Sequence, residues 1–267
     1  MNHQKIKIEY LCNNWLISFK NNEESLDKSK QITLLCFPYA SGNSLIYKEW
    51  QPFINHNVEL LAVNLPGHGN RLLEPVIENI DDLMKEIHRN ISPYLKNKKI
   101  VFFGHSLGAL LCFEYARYIK KFSNFELLCI IVSAYSLPDI EDKDEDEVKH
   151  RNILTDDEVL QTLVGLDRLS HKSIIKNEEM RNLILKTMRS EMILLDSYNY
   201  QKEPVLSVPI VAFYSKNDDF VNSHKISNWK NNTKSWYDKF QFEGGHFFIE
   251  EYTEQVVKVV NDILNRV

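Results

Sequence analysis

Ser106 lies in Gly104-His105-Ser106-Leu107-Gly108-Ala109, directly after the apolar run Ile100-Val101-Phe102-Phe103. A serine with glycines two positions before and after it matches the G-x-S-x-G turn that exposes a nucleophilic hydroxyl. The preceding run is rich in β-branched and aromatic residues, which suits a strand buried on both faces. The segment after Gly108 has helical spacing and good helix formers. Ser106 therefore falls on a strand-to-helix turn, and the helix N-terminus behind it offers N–H groups to a developing oxyanion.

A serine hydroxyl is a weak nucleophile and needs a base, which in turn needs an orienting carboxylate. After such a turn the chain order is acid, then base. Of nine histidines, His150, His171, His224 and His246 follow Ser106. His246 sits in Phe242-Glu243-Gly244-Gly245-His246-Phe247-Phe248, where two glycines permit a sharp turn and apolar neighbours exclude water. It is the expected base, with His224 as the fallback. The acid should lie in Ser215-Lys216-Asn217-Asp218-Asp219-Phe220-Val221, the loop after a strand spanning 209–214. Pattern alone leaves Asp218 and Asp219 both open. One oxyanion donor should be the N–H of Leu107, and the other should come from the loop Pro38-Tyr39-Ala40-Ser41-Gly42. His105 reads as a packing residue of the turn, and His68, in Pro-Gly-His-Gly, as a turn residue. No other histidine or cysteine stands at ligand spacing from His68, so no metal site is expected.

The elements that must hold these residues alternate. Strands are expected at 32–37, 58–63, 100–103, 127–132 and 209–214, with helices near 46–53, 79–95, after Gly108, and from about 250 to 264. That alternation predicts a mostly parallel sheet covered on both faces. Residues 1–29 read as a short polar lead-in. Residues 138–204 break the rhythm with the acidic stretch DIEDKDEDEV and two helical patterns. Thr155-Asp156-Asp157-Glu158 forms a capping box ahead of Val159, Leu160, Leu163 and Val164, and Asn177 opens the second helix. The block predicts a helical lid, 138–204, inserted into a core formed by 1–137 and 205–267.

Composition narrows the function classes. The 267 residues are 43% hydrophobic and 26% charged, with a net charge of −5, against a nucleic-acid binder with a basic face. No apolar run reaches the length of a membrane span, and the N-terminus lacks the apolar core of a signal peptide. Cys12, Cys36, Cys112 and Cys129 are scattered and read as reduced thiols. A cytoplasmic protein that does not engage nucleic acid or membrane is expected.

CFPYASGNSLIYKEW (36–50), LPGHGNRLLEP (65–75), GHSLGA (104–109), FYSKNDDFV (213–221) and EGGHFFI (243–249) form a set. Together with LTDDEVLQTLVGL and MRSEMILLDSYNY, they resemble the motifs of the type II thioesterases. These are the stand-alone editing thioesterases of nonribosomal peptide and polyketide assembly lines. The resemblance implies an α/β-hydrolase fold, and its spacing to Val221 places the acid on Asp218. It implies a Ser106, Asp218, His246 triad, oxyanion donors Leu107 and Ala40 (Tyr39 being the alternative for the second), and Tyr39 as a substrate-binding residue. The implied substrate is an aberrant or stalled acyl group, such as acetyl, on the phosphopantetheine arm of an acyl or peptidyl carrier protein domain. The implied enzyme is a monomer with no metal or cofactor of its own, since the arm belongs to the substrate. Departures from the family pattern are Ser215 for a glycine, Arg189-Ser190-Glu191 for Arg-Ala-Asp, and a second glycine after Ala40 that is replaced by Asn43 or absent, depending on the alignment. The rival readings are a general acyl-CoA thioesterase or carboxylester hydrolase, and a non-catalytic binding protein on the same fold.

Overall fold

A computed structural model describes residues 6–20, 31–122, 124–137, 155–159, 177–221 and 225–267. The strands are β1 (Lys7–Leu11), β2 (Leu16–Lys20), β3 (Ile32–Phe37), β4 (Val58–Val63), β5 (Lys99–His105), β6 (Glu126–Ser133), β7 (Ile210–Ser215) and β8 (Tyr237–Phe242). They form one eight-stranded sheet in the order β1-β2-β4-β3-β5-β6-β7-β8. The pairs from β4 to β8 are parallel, while β1 and β2 join antiparallel at one edge. The helices are α1 (Ile80–Leu95), α2 (Leu107–Ile119), α3 (Glu178–Ser197), α4 (Phe248–Glu251) and α5 (Thr253–Leu264).

Consecutive residues of β5 show that both faces are covered. Phe102 and Phe103 must point to opposite sides of the sheet. Phe102 stacks on Tyr115 of α2, with ring centroids 5.4 Å apart. Phe103 packs edge-on against Trp50, at 4.7 Å, in a 3₁₀ helix spanning Ser44–Trp50. Asn43 caps that helix by accepting the Leu45 N–H at 3.0 Å.

Three expectations are corrected. Residues 7–20, expected as part of a short, partly ordered lead-in, form a hairpin that extends the sheet and buries Trp15, Leu16, Ile17 and Phe19. Its turn uses left-handed backbone at Cys12, Asn13 and Asn14, where asparagine is well tolerated. The helical segment expected near 46–53 is a 3₁₀ helix that runs Ser44–Trp50, so it begins and ends earlier. The closing helix is broken at Tyr252 into α4 and α5.

Between β6 and β7 the described residues include a capped helical turn at 155–159 and α3. The Thr155–Glu158 capping box is formed, with the Thr155 N–H donating to Glu158 at 2.6 Å. Val159 is buried with Leu185 and Met188 of α3, and Arg189 pairs with Asp156 at 2.7 Å. Leu160, Leu163, Val164, the acidic stretch, His150, His171 and His224 lie outside the described residues.

Candidate active site

The chemistry-bearing residues collect at the C-terminal ends of the parallel strands, where open α/β sheets place their sites. Ser106 follows β5 directly and has φ +53°, ψ −122°, a conformation that L-residues rarely adopt. The flanking glycines make that turn possible. A Cβ on Gly104 would lie 2.0 Å from the Gly108 carbonyl oxygen, and one on Gly108 would lie 2.2 Å from that of Phe37. The first turn of α2 thus presses on the end of β3. Leu107 is the first residue of α2, so its N–H has no intrahelical acceptor.

His246 Nε2 stands 3.0 Å from Ser106 Oγ. Its Nδ1 lies 3.0 and 2.9 Å from the two carboxylate oxygens of Asp218. A carboxylate only accepts, so Nδ1 carries the proton and Nε2 is free to accept from the serine hydroxyl. The Asp218 side chain is almost fully buried, and one of its oxygens also accepts the Phe220 N–H at 2.9 Å. Asp219 is exposed and makes no contact with the ring. The Phe220 ring lies 5.2 Å from that of His246 and is itself open to solvent. Ser215, the residue where the family has glycine, donates its hydroxyl to the Gly244 carbonyl and ties the acid loop to the histidine loop.

The loop 38–42 turns tightly beside this group, with the Gly42 N–H bonded to the Tyr39 carbonyl at 2.9 Å. Ala40 sits partly exposed in that turn. The Tyr39 side chain is buried. Its ring packs on His105 and Phe247, and its hydroxyl donates to Glu250. The side chain therefore braces the loop and does not line an opening, a difference from its expected role toward substrate. His105 is fully buried, with Nδ1 2.9 Å from the Ser133 hydroxyl. Burial, and then the nearby His246, hold its imidazole well below the usual histidine range. It is a neutral packing group.

His68 was expected to be only a turn residue. Its side chain is 4% exposed, and Nε2 lies 3.0 Å from Glu191 of α3, itself 3% exposed. Burial alone would push this imidazole down, but the Glu191 charge and hydrogen bond outweigh it and raise the pKa. Nothing in the sequence joins two residues 123 positions apart. An apolar cavity of about 10 Å³ lies beside the pair, walled in part by Leu107, Leu111 and Leu194. Among the described residues no cluster of histidine, cysteine or carboxylate side chains could hold a metal ion, and no helix is long and apolar enough to cross a membrane.

A mostly parallel sheet with Ser106 on a strained turn after a central strand is the architecture of the α/β-hydrolases. Within that class the chain belongs to the thioesterase domain family, whose profile matches residues 32–264. It is 28% identical to the gramicidin S biosynthesis protein GrsT of Aneurinibacillus migulanus, over 92% of each chain. Its fold resembles that of ClbQ from the colibactin NRPS/PKS pathway, with a TM-score of 0.78 at 24% identity over 88% of this chain and 98% of the other. It also resembles the type II thioesterase BorB from the borrelidin biosynthetic cluster, with a TM-score of 0.73 at 25% identity over 87% and 92%.

Proposed function

We propose that this chain is a stand-alone serine thioesterase that clears acyl groups from the phosphopantetheine arms of carrier proteins in nonribosomal peptide or polyketide synthesis. The observation that carries this reading is the Ser106–His246–Asp218 arrangement, with both histidine contacts near 3 Å. Membership of the thioesterase family and relatives named for such pathways support the substrate class.

In the proposed mechanism Ser106 Oγ attacks the thioester carbonyl carbon while His246 Nε2 takes its proton. Asp218 orients the ring and stabilises the imidazolium. The oxyanion is held by the N–H of Leu107 and that of Ala40. The C–S bond then breaks, and the imidazolium gives its proton to the departing sulfur, which leaves as the thiol of the arm. Water attacks the acyl-serine as His246 takes its proton, and the proton returns to Ser106 Oγ as the carboxylic acid departs. No metal or cofactor enters these steps. In this reading 138–204 is a lid insertion on a core of 1–137 and 205–267, with 155–159 and 177–204 its described residues.

The test is intact-mass analysis of an acetylated carrier protein incubated with the enzyme, with acetyl-CoA as free competitor and Ser106→Ala as control. Loss of the acetyl mass with wild type alone, faster than from acetyl-CoA, supports the reading. An untouched carrier beside rapid hydrolysis of acetyl-CoA or simple esters replaces it with a general hydrolase. No turnover of any of these returns the binding-protein reading.

A further inference from the structure

Both oxygens of the buried Glu191 carboxylate are engaged. One accepts the backbone N–H of Ser41 at 2.7 Å, across 150 residues of sequence. The other lies 3.0 Å from His68 Nε2. His68 Nδ1 lies 3.0 Å from the Pro66 carbonyl, which can only accept. A ring protonated on both nitrogens donates to both, a charge-assisted arrangement in keeping with the raised pKa of His68. Arg71 also faces His68, with its guanidinium occupied by the Asn64 carbonyl and by Glu74.

The third member, Ser41, directly follows Ala40. It has φ +53°, so the turn that carries the expected oxyanion donor is itself strained. Such a turn keeps its place only when its surroundings over-determine it. The Glu191 oxygen supplies that constraint from α3. The helix is in turn fastened to the neighbouring loop, by Thr187 to the Gly67 carbonyl at 3.1 Å and by Ser190 to Glu78 at 2.7 Å.

We propose that Glu191, backed by His68, is a positioning residue that sets the 39–42 turn, so that α3 governs oxyanion stabilisation without touching the reacting atoms. This rests on the serine-hydrolase chemistry proposed above. Oxyanion donors act through fixed placement, and small misplacements are costly in rate rather than in binding.

The test compares wild type, Glu191→Gln, Glu191→Ala and the apolar double variant Glu191→Met/His68→Leu. A glutamine can still accept from Ser41 and can donate to a neutral His68 Nε2, so it keeps the network. The double variant leaves no orphaned charge, which keeps a folded protein available if Glu191→Ala does not fold. The readouts are kcat and KM on an acetylated carrier protein, and the rate at which a fluorophosphonate labels Ser106. In labelling, the serine oxygen bonds to phosphorus, fluoride leaves and His246 takes the proton. The expected result is a kcat and a labelling rate about 10²-fold lower in the alanine and apolar variants, with KM within about 3-fold and glutamine close to wild type. Unchanged kcat and labelling in a folded apolar variant overturn the proposal, as does an effect confined to KM or a glutamine variant as impaired as alanine. A wild type that is labelled but cleaves no thioester removes the substrate reading alone, and the labelling rates then decide this one. A wild type neither labelled nor active removes both.

Discussion

The Ser106 N–H donates to the Ser133 carbonyl at 2.8 Å, so the β5–β6 ladder ends on the residue that also carries the proposed nucleophile. The same Ser133 holds His105 through its hydroxyl. Ser106 is thus pinned in left-handed backbone from its own N–H and from its neighbour's side chain.

That strain should be measurable as stability. Replacing Ser106 by glycine removes the Cβ that makes φ +53° costly. Ser106→Gly is expected to be more stable than Ser106→Ala by about 1 kcal/mol, a rise of roughly 2–4 °C in Tm. Both should lose about 10⁴-fold or more in thioester hydrolysis. Calorimetry of the two variants side by side checks this, and equal Tm values would mean the turn stores no strain.

The two glycines of the turn tolerate no side chain. A Cβ on Gly104 or Gly108 would meet backbone oxygen at 2.0 or 2.2 Å, and backbone cannot swing aside as a side chain can. Gly104→Ala and Gly108→Ala should each cost about 3 kcal/mol or more. Urea denaturation gives the midpoint, and a loss below about 1 kcal/mol would refute the close approach.

The adjacent aspartates should separate cleanly. Asp218→Asn should lower kcat by about 10⁴-fold, because an amide favours the wrong imidazole tautomer. Asp219→Asn should stay within about 3-fold of wild type, its side chain being exposed and away from the ring. Comparable losses in both variants would contradict the geometry around His246.

The His68–Glu191 pair carries a pH signature. The folded-state pKa of His68 is raised, so its stabilising contribution is complete below the unfolded value of about 6.5 and fades as pH climbs through the folded value. The Tm gap between wild type and His68→Gln is expected to be widest near about pH 6 and to shrink toward about pH 9. A gap that is flat or grows with pH would mean that the ring is neutral in the folded protein.

Much of the fold and site was legible because local patterns carried it. The apolar run before Gly104, the glycines around Ser106 and the Gly-Gly before His246 each specify a backbone shape within a few residues. Residue pattern alone did not choose between Asp218 and Asp219, which share one loop; the family resemblance chose Asp218 by its spacing to Val221, and in the fold it is the Asp218 carboxylate that meets His246. The β1–β2 hairpin was missed because charged residues, Lys7 and Glu9, break the apolar pattern of β1, and the short buried run Trp15–Ile17 of β2 follows an asparagine-containing turn. β8 was not placed because Tyr237–Phe242 is an edge strand, mostly part-exposed, with lysine and aspartate inside it. Glu191 was visible only as a departure from the family's Arg-Ala-Asp segment, with nothing to show its partners. A carboxylate on one face of a helix reads as solvated until the partners that bury it, His68 and the Ser41 N–H, are brought to it by the fold.

Asn261 of α5 accepts from the Asn55 N–H at 3.0 Å and donates to the Phe53 carbonyl at 2.9 Å, fastening a late segment of the chain onto an early one. On a ribosome, Ser106 emerges as an ordinary hydroxyl, and the imidazole proposed to activate it follows 140 residues later. Until that part of the polypeptide is made and docked, the growing chain holds no competent hydrolase. On the proposed mechanism, a chain that stalls before β8 lacks His246 and has no base to activate Ser106.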